Sequence, residues 1–152
     1  MAENEESIEL PSVQWTKLIG TSKDDRGYSI IKGLDDSIYI SGITYGNLNN
    51  ESNRSIYIDG FISKITTSGS EKWTELLGTG SGTWAQNLAT GVDGSIYLVG
   101  KTYGDLDANT NAGRMDTFIT KFQPDGTKEW TRLLGSNEDD WGYGITAGKD
   151  GK

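Results

Sequence analysis

The chain of 152 residues contains neither cysteine nor histidine. Without thiols it can form no disulfide and no thiolate metal site. Without imidazole it can form neither a Ser-His-Asp triad nor an imidazole-ligated zinc site. No apolar run reaches the length of about 18 residues that is typical of a membrane-spanning helix. These absences exclude several common classes of enzyme, metalloprotein and membrane protein.

Basic residues are also few, since 14 Lys and Arg face 22 Asp and Glu, for a net charge of −8. A nucleic-acid-binding protein needs a basic face to neutralise phosphates, and anionic lipid attracts basic segments in the same way. We therefore expect no nucleic-acid partner and no membrane insertion. The acidic first ten residues lack the positive and apolar regions of a secretory signal. A removed signal, another export route and a cytosolic location all fit that observation.

The chain is dominated by an internal repeat. A Trp segment occurs three times, as WTKLIG at 15–20, WTELLG at 73–78 and WTRLLG at 130–135, so its tryptophans are 58 and 57 residues apart. Such a period marks a solenoid, a propeller or an array. The repeat region, 15–152, therefore follows an N-terminal lead-in of residues 1–14. It divides into repeats at 15–72 and 73–129 and a partial third repeat at 130–152.

Each full repeat is predicted to form four short antiparallel strands. The segments are rich in β-branched and aromatic residues and are bounded by Gly, Asp, Asn or Ser, and no window shows helical periodicity. Asp93-Gly94 and Asp125-Gly126 suit tight turns that need a positive φ. The predicted strands cover residues 15–20, 28–32, 38–45 and 60–66, with equivalents at 73–78, 86–90, 96–103 and 117–123 and at 130–135 and 143–147.

Four short antiparallel strands in a repeat of about 57 residues favour an all-β fold of β-propeller blades. A blade cannot bury both of its faces alone, so it stacks against its neighbours around a central axis. The alternative is a sandwich of roughly ten strands. The regular spacing favours the propeller, with two full repeats and part of a third.

The run DTFITKFQPDGTKEWTRLLGSNEDDWGYGITAGKDGK at 116–152 resembles the bacterial β-propeller repeat often called the SBBP repeat. The shared pattern is D-x-F-[IV]-x-K, P-[DS]-G, W, L-G, the acidic pair with its glycines, and D-G. The resemblance implies tandem blades in bacterial proteins that are frequently secreted or surface-attached, with no enzymatic role for the repeat itself. We therefore expect a secreted or cell-surface location. The middle repeat departs from the pattern, because 80–83 (Gly-Ser-Gly-Thr) replaces the acidic pair.

The number of blades raises a question of completeness. A closed propeller typically needs 4–8 blades, and this chain supplies fewer than three. It could be part of a longer array, it could associate head to tail with copies of itself, or it could form a small open stack. The expected partners are therefore further blades of the same protein or a second copy, together with a glycan or protein ligand.

The loop after the third predicted strand of the second repeat is a candidate calcium site. Oxygen-bearing side chains occupy alternate positions, and a carboxylate closes the loop, which is how a loop wraps a hard cation. The candidate ligands are Asp105, Asp107, Asn109, Asn111 and Asp116. The first repeat has a weaker version from Asn47 through Asn49, Glu51 and Asn53 to Asp59. The alternative is an Asx-rich surface turn whose side chains cap their own backbone.

Aromatic residues at one repeat position form the second candidate site. Trp84 and Trp141 are equivalent, and Tyr28 and Tyr143 lie two residues further on in their own repeats. Exposed rings could stack on sugars, as in a lectin, whereas buried rings would be wedges between blades, which is the favoured interpretation. Adjacent carboxylates at 24–25 and 139–140 are a poor geometry for glycoside hydrolysis and favour a solvated turn.

The sequence thus predicts a non-catalytic β-propeller repeat module with structural or interaction roles. The leading alternative is a glycan-binding module that depends on calcium or on an aromatic platform.

Overall fold

The computed structural model describes residues 12–48 and 57–149, which form two antiparallel sheets of four strands each. The first sheet, sheet 1, contains β1 (Asp25–Lys32), β2 (Ile38–Thr44), β3 (Asp59–Ile65) and β4 (Glu71–Leu77). The second sheet, sheet 2, contains β5 (Thr83–Thr90), β6 (Ile96–Thr102), β7 (Asp116–Phe122) and β8 (Lys128–Leu134). The described residues contain no helix, so the predicted all-β class is confirmed, and neither sheet closes on itself.

Both sheets are simple meanders, with each strand pairing with the next along the chain. The turns between the strands follow from local chemistry. Gly94 and Gly126 have φ of 82° and 97°, as predicted for the two Asp-Gly turns. The first repeat has Asp36 where the second has Gly94, and this aspartate adopts a positive φ of 62°. These tight turns hold the first strand beside the second and the third beside the fourth in each sheet, whereas longer connections at 45–58 and 103–115 link the second strand to the third.

The sheets do not coincide with the sequence repeats. β4 contains Trp73, the first residue of the second repeat, yet it pairs with β3 from the first repeat. The turn between them is closed by a backbone hydrogen bond from Thr66 N to Ser70 O of 2.8 Å. The Trp segment that begins each repeat is therefore the last strand of the preceding sheet. The two sheets run over 25–77 and 83–134, so they are out of phase with the sequence repeats at 15–72 and 73–129.

Eight of the ten predicted strands form, and the predictions for 15–20 and 143–147 were wrong. Both segments contain the expected β-branched and aromatic residues. Neither has a strand beside it, within the described ranges, with which to exchange backbone hydrogen bonds. An extended segment without such a neighbour is not a strand, whatever its intrinsic propensity.

The main core lies between the two sheets, because β5 crosses one face of sheet 1. Tyr39 and Ile62 from sheet 1 are fully buried against this layer. Sheet 2 contributes Leu88, Leu98 and Phe122, whose exposure is 3% or less. A smaller cluster around Phe61 lies elsewhere in sheet 1. No helix in the described ranges has the length and apolarity needed to cross a membrane.

Candidate functional site

The seam between the two sheets is repeated at the other side of sheet 2. Where β5 begins, Thr83 N donates to Ile58 O at 2.9 Å. One repeat later, Asp140 N donates to Met115 O at 2.6 Å. Residues 140–149, here named the third-repeat segment, therefore begin against sheet 2 in the way that β5 begins against sheet 1. The seam is a modular contact that recurs with the sequence period.

The repeated tryptophans lie at equivalent places on the seams. Trp73 Nε1 donates to Pro124 O at 3.2 Å, and Trp15 Nε1 donates to Thr67 O at 2.8 Å. Each indole also covers a turn glycine, with Trp73 over Gly126 and Trp15 over Gly69. The Trp segment thus joins the last strand of one sheet to a hairpin turn of the next. Trp15 makes its contact although its segment is not a strand.

The two sheets differ in how well one face is covered. Tyr39 and Ile62 in sheet 1 are fully buried by sheet 2, whereas their equivalents Tyr97 and Ile119 are only half-buried. A cavity of about 350 Å³ lies here, lined by Tyr97, Ile119 and Trp130 on one side. The third-repeat segment lines the other side with residues 145–148. This face of sheet 2, the free face, therefore lacks the cover that the matching face of sheet 1 receives.

The opposite face of sheet 1 shows the complementary deficit. Leu88 of sheet 2 is 3% exposed at the seam, but its equivalent Ile30 is 65% exposed. Ile38 and Ile40 are half-buried, whereas Ile96 and Leu98 at the equivalent positions in sheet 2 are fully buried. The free face of sheet 2 and the face of sheet 1 that carries Ile30 are therefore the two surfaces that would pack together in a further seam.

A lysine network ties the sheets together electrostatically. Lys64 Nζ lies 2.6 Å from both Asp35 Oδ2 and Pro124 O. Burial opposes ionisation of Asp35, but the hydrogen bond and charge of Lys64 outweigh it and hold the pKa of that carboxyl below its usual value. Burial lowers the pKa of Lys64, but its contacts with Asp35 and with the Tyr39 hydroxyl outweigh burial and raise that pKa above its usual value. Sheet 1 thereby places a positive charge on a carbonyl of sheet 2.

Three of the four predicted ligand-binding aromatic residues meet around one lysine. Lys101 Nζ lies 4.4 Å from the ring centroid of Trp141, 5.5 Å from that of Tyr143 and 5.7 Å from that of Trp84. Trp84 also contacts Tyr103 edge-to-face, with centroids 5.7 Å apart. These five residues are here named the Lys101 cluster. The structure brings Trp84, Trp141 and Tyr143 together on the free face of sheet 2.

Local geometry explains the cluster. Lys101 pairs with Trp84 across β5 and β6, and paired residues project from the same face of a sheet. The third-repeat segment then carries Trp141 and Tyr143 onto that face, where they pack edge-to-face with centroids 6.0 Å apart. Trp141, Tyr143 and Tyr103 remain 51%, 57% and 46% exposed. Their rings are therefore accessible to a ligand.

Tyr28, the fourth predicted ligand-binding residue, does not join the cluster. It lies on β1 in sheet 1 and is 40% exposed. Lys101 and Tyr103 were missed by the sequence interpretation. Two observations could have indicated Lys101: the first repeat has Ile43 at the equivalent position, and the register of β5 with β6 places Lys101 opposite Trp84. That register became visible only when the strands were paired.

In the candidate calcium loop, most of the oxygen ligands are already used by the protein. Asp105 Oδ1 accepts from Asn111 N at 2.8 Å. The two oxygens of Asp107 accept from Lys128 Nζ and Thr131 Oγ1, each at 2.6 Å. The first two predicted carboxylate ligands therefore cap the local backbone or hold the neighbouring strand β8.

The remaining predicted ligands act similarly. The Asn109 amide donates to Thr131 O at 3.1 Å, and Asn111 Oδ1 accepts from Gly113 N at 2.9 Å. Asp116 is buried, and its Oδ2 accepts from Ala112 N at 2.8 Å. Within 12–48 and 57–149, no group of three or more acidic side chains is arranged to hold a metal ion. The calcium site stays a prediction, and Asn49, Glu51 and Asn53 of the first-repeat loop lie outside the described residues.

The acidic pairs are placed as turn formers. Asp25 Oδ2 accepts from Thr21 N, and Asp140 Oδ2 accepts from Ser136 N, each at 2.6 Å. The hydrogen bond from the Ser136 backbone is the main reason that the pKa of Asp140 lies below its usual value. The two aspartates thus organise equivalent loops before β1 and before the third-repeat segment. The second repeat begins the matching strand with Thr83 instead.

Comparison with known proteins adds a distant relative. No family model matches the chain. The regulatory protein FlaEY of Caulobacter vibrioides is 26% identical over 140 residues, which cover 83% of this chain. The aligned region is 15% of FlaEY, so the chain spans a small part of that relative's length.

Proposed function

We propose that the chain is a non-catalytic repeat module of the β-propeller type. It stacks on homologous four-stranded sheets and offers a binding surface to ligands. The resemblance to SBBP repeats supports this proposal, and we extend it to a secreted or cell-surface location. Alignment with 15% of a much longer regulatory protein supports a module that is built into larger chains.

The recurring seam carries the proposal. Its opening hydrogen bond is made by Thr83 in one copy and by Asp140 in the next, at the same repeat position. The uncovered faces, marked by Ile30 on sheet 1 and Ile119 on sheet 2, are the two complementary halves of that seam. Each well-buried aliphatic or aromatic side chain contributes about 1.5–3 kcal/mol relative to exposure. A further sheet on either face would therefore gain the stabilisation that joins sheets 1 and 2.

The test is a chain that completes the third sheet. Residues 35–77 would be added after Lys149, so that the third-repeat segment receives equivalents of β2, β3 and β4. We expect the free energy of unfolding to rise by about 3 kcal/mol or more, because the half-buried Tyr97 and Ile119 become covered. Chemical denaturation followed by tryptophan fluorescence measures this change.

A matched control uses the same extension with Ile40→Lys in the added copy, since the equivalent Leu98 is buried at the existing seam. The control should lose the gain. An extension that adds no stability, or adds as much with the lysine as without it, would contradict the stacking proposal.

The solution mass of the protein tests whether a second copy supplies the sheet that covers the free face. A second copy would dock its own sheet 1 on the free face of sheet 2, and Ile30→Lys would then prevent association. Sedimentation of both proteins over a concentration series distinguishes this from a covering sheet supplied by further repeats of the same protein.

Glycan binding is a second candidate function, favoured by the Lys101 cluster. The sequence offered an aromatic platform of Trp84, Trp141, Tyr28 and Tyr143 as the alternative to packing between blades, and the rings of all but Tyr28 lie around one ammonium group. The half-exposed rings lie at the ends of β5 and β6, beyond Tyr97 and Ile119, which a further sheet would cover, and they suit the apolar faces of sugar rings. A glycan array that compares the protein with Trp141→Ala tests the platform, and equal binding by the two would contradict it.

A further inference from the structure

We propose that the Lys101 cluster selects carboxylated saccharides, with the Lys101 ammonium pairing with a uronic or similar acid and the rings stacking on the pyranose faces. This inference rests on the glycan-binding candidate and specifies its ligand. It adds a charge requirement that the aromatic platform alone does not contain.

Lys101 differs from the other lysines on the strands of its sheet. Lys121 pairs with Asp93 and Glu129, and Lys128 pairs with Asp107. Lys101 makes no ion pair with any carboxylate in the described ranges, and its ammonium instead lies over the rings of Trp84, Trp141 and Tyr143. The negative faces of these rings orient the ammonium but do not neutralise its charge. An external carboxylate can therefore become its first ionic partner.

The rings favour a sugar over other carboxylates. Ring faces carry negative charge density, so they attract the weakly positive C–H groups of a pyranose as they attract a cation. Trp141, Tyr143 and Tyr103 are each about half exposed, which makes the cluster an open shelf. A peptide anchor instead relies on side chains that are buried in fitted pockets. Rings beside an uncompensated ammonium match a saccharide that has both a flat apolar face and a carboxylate.

The net charge of −8 does not oppose this selectivity at short range. At physiological ionic strength, charges separated by more than about 8 Å are largely screened. A bound carboxylate would therefore respond to Lys101 and to the nearby Asp140, which lines the same pocket as Trp141 and Tyr143 but is held by the backbone and hydroxyl of Ser136. Binding should weaken as salt is added, because the ion pair is exposed.

The first repeat supplies the contrast. Its equivalent of Lys101 is Ile43, which is buried, and its equivalent of Trp84 is Arg26. The cluster therefore exists only at the seam between sheet 2 and the third-repeat segment. The chain itself thus shows that the sheet tolerates an uncharged residue at this position.

The experiment titrates the protein with oligogalacturonate and with its fully methyl-esterified form, and follows tryptophan fluorescence and isothermal heat. We expect oligogalacturonate to bind at least tenfold more tightly than the ester. Lys101→Met should lose at least tenfold in affinity for the acid, whereas Lys101→Arg should retain most of it. Lys32→Met serves as the matched control, because Lys32 is an exposed lysine on sheet 1 that pairs with Asp36. Melting curves confirm that the variants are folded.

Each outcome decides the proposal. Equal binding of acid and ester, or equal loss in the Lys101 and Lys32 variants, would overturn the charge requirement while leaving a neutral aromatic platform intact. Absence of saccharide binding with unaltered folding would overturn both the inference and the glycan-binding candidate. Preferential binding of a poly-glutamate peptide in a parallel titration would also overturn it, by assigning the ammonium to a protein partner.

Discussion

At the residue scale, equivalent positions in the two repeats show which chemistry the fold requires. The turn between β1 and β2 and the turn between β5 and β6 have the same backbone hydrogen bonds, Gly33 N to Ser37 O and Gly91 N to Ser95 O, both at 2.8 Å. The residue with positive φ is nevertheless Asp36 in the first turn and Gly94 in the second. A β-carbon in this left-handed region costs free energy that glycine avoids.

Asp36→Gly should therefore stabilise the protein. We expect a gain of about 0.5 kcal/mol, because relief of the left-handed strain exceeds the extra entropy of glycine in the unfolded chain and the loss of an exposed ion pair with Lys32. Asp36→Ala is the matched comparison and should destabilise the protein, since it keeps the β-carbon without the polar side chain. Urea titration measures both changes. A loss of stability in the glycine variant would show that the aspartate side chain matters more than its backbone strain.

At the scale of elements, the neighbouring residues determine whether a loop can bind an ion and whether an extended segment becomes a strand. The Asx-rich loop before β7 has the composition of a calcium loop, but Asp107 pairs with Lys128 and Thr131 of β8. Its side chains are thus engaged as local caps, which is how Asn and Asp stabilise turns without an ion. The same principle explains why the extended segments at 15–20 and 143–147 are not strands.

Calcium should not change the melting temperature. A ligand stabilises the native state only as far as it binds, and both oxygens of Asp107 and one oxygen each of Asp105 and Asp116 already accept hydrogen bonds that the ion would have to displace. Asp116 Oδ1 is buried without a hydrogen-bond partner, but a single oxygen does not make a calcium site. We expect melting curves in millimolar calcium and in excess chelator to coincide. Asp105→Asn provides the control, because a true site would also lose any calcium response in this variant. A rise of several degrees with calcium, absent in Asp105→Asn, would support the calcium site instead.

At the scale of the whole molecule, stability depends on the seam between the sheets, and part of that seam is ionic. Lys64 of sheet 1 contacts both Asp35 and the Pro124 carbonyl of sheet 2. Burial raises the pKa of Asp35, but Lys64 and the backbone of Ser37 together lower it by more, so the pKa lies below the ordinary value of 3.8. The carboxylate that holds Lys64 in place is therefore favoured by folding.

This linkage predicts a loss of stability in acid. Because the folded pKa of Asp35 is depressed, its contribution is fully present above the unfolded value of 3.8 and disappears as the pH falls through the folded pKa. We expect the free energy of unfolding to decrease below about pH 4, and Asp35→Asn to flatten part of that decrease. Denaturation at several pH values measures it. Identical profiles for the two proteins would assign the acid sensitivity to other carboxylates.

The sequence alone determined the class and the period of the fold. Tight turns at Asp93-Gly94 and Asp125-Gly126 and alternating strands follow from local rules, because φ preference and side-chain spacing act within a few residues. Eight strands were therefore predictable, and the aromatic platform of Trp84, Trp141 and Tyr143 stays a prediction.

Only the tertiary structure decided which strands share a sheet and which side chains meet. The Trp segments begin each sequence repeat but complete the preceding sheet, since strand pairing depends on the hairpin turn and not on the phase of the repeat. Lys101 lies among the rings because the register of β5 with β6 places it opposite Trp84 and because the third-repeat segment carries Trp141 onto it. These contacts join residues distant in sequence, and they depend on packing that no local pattern encodes.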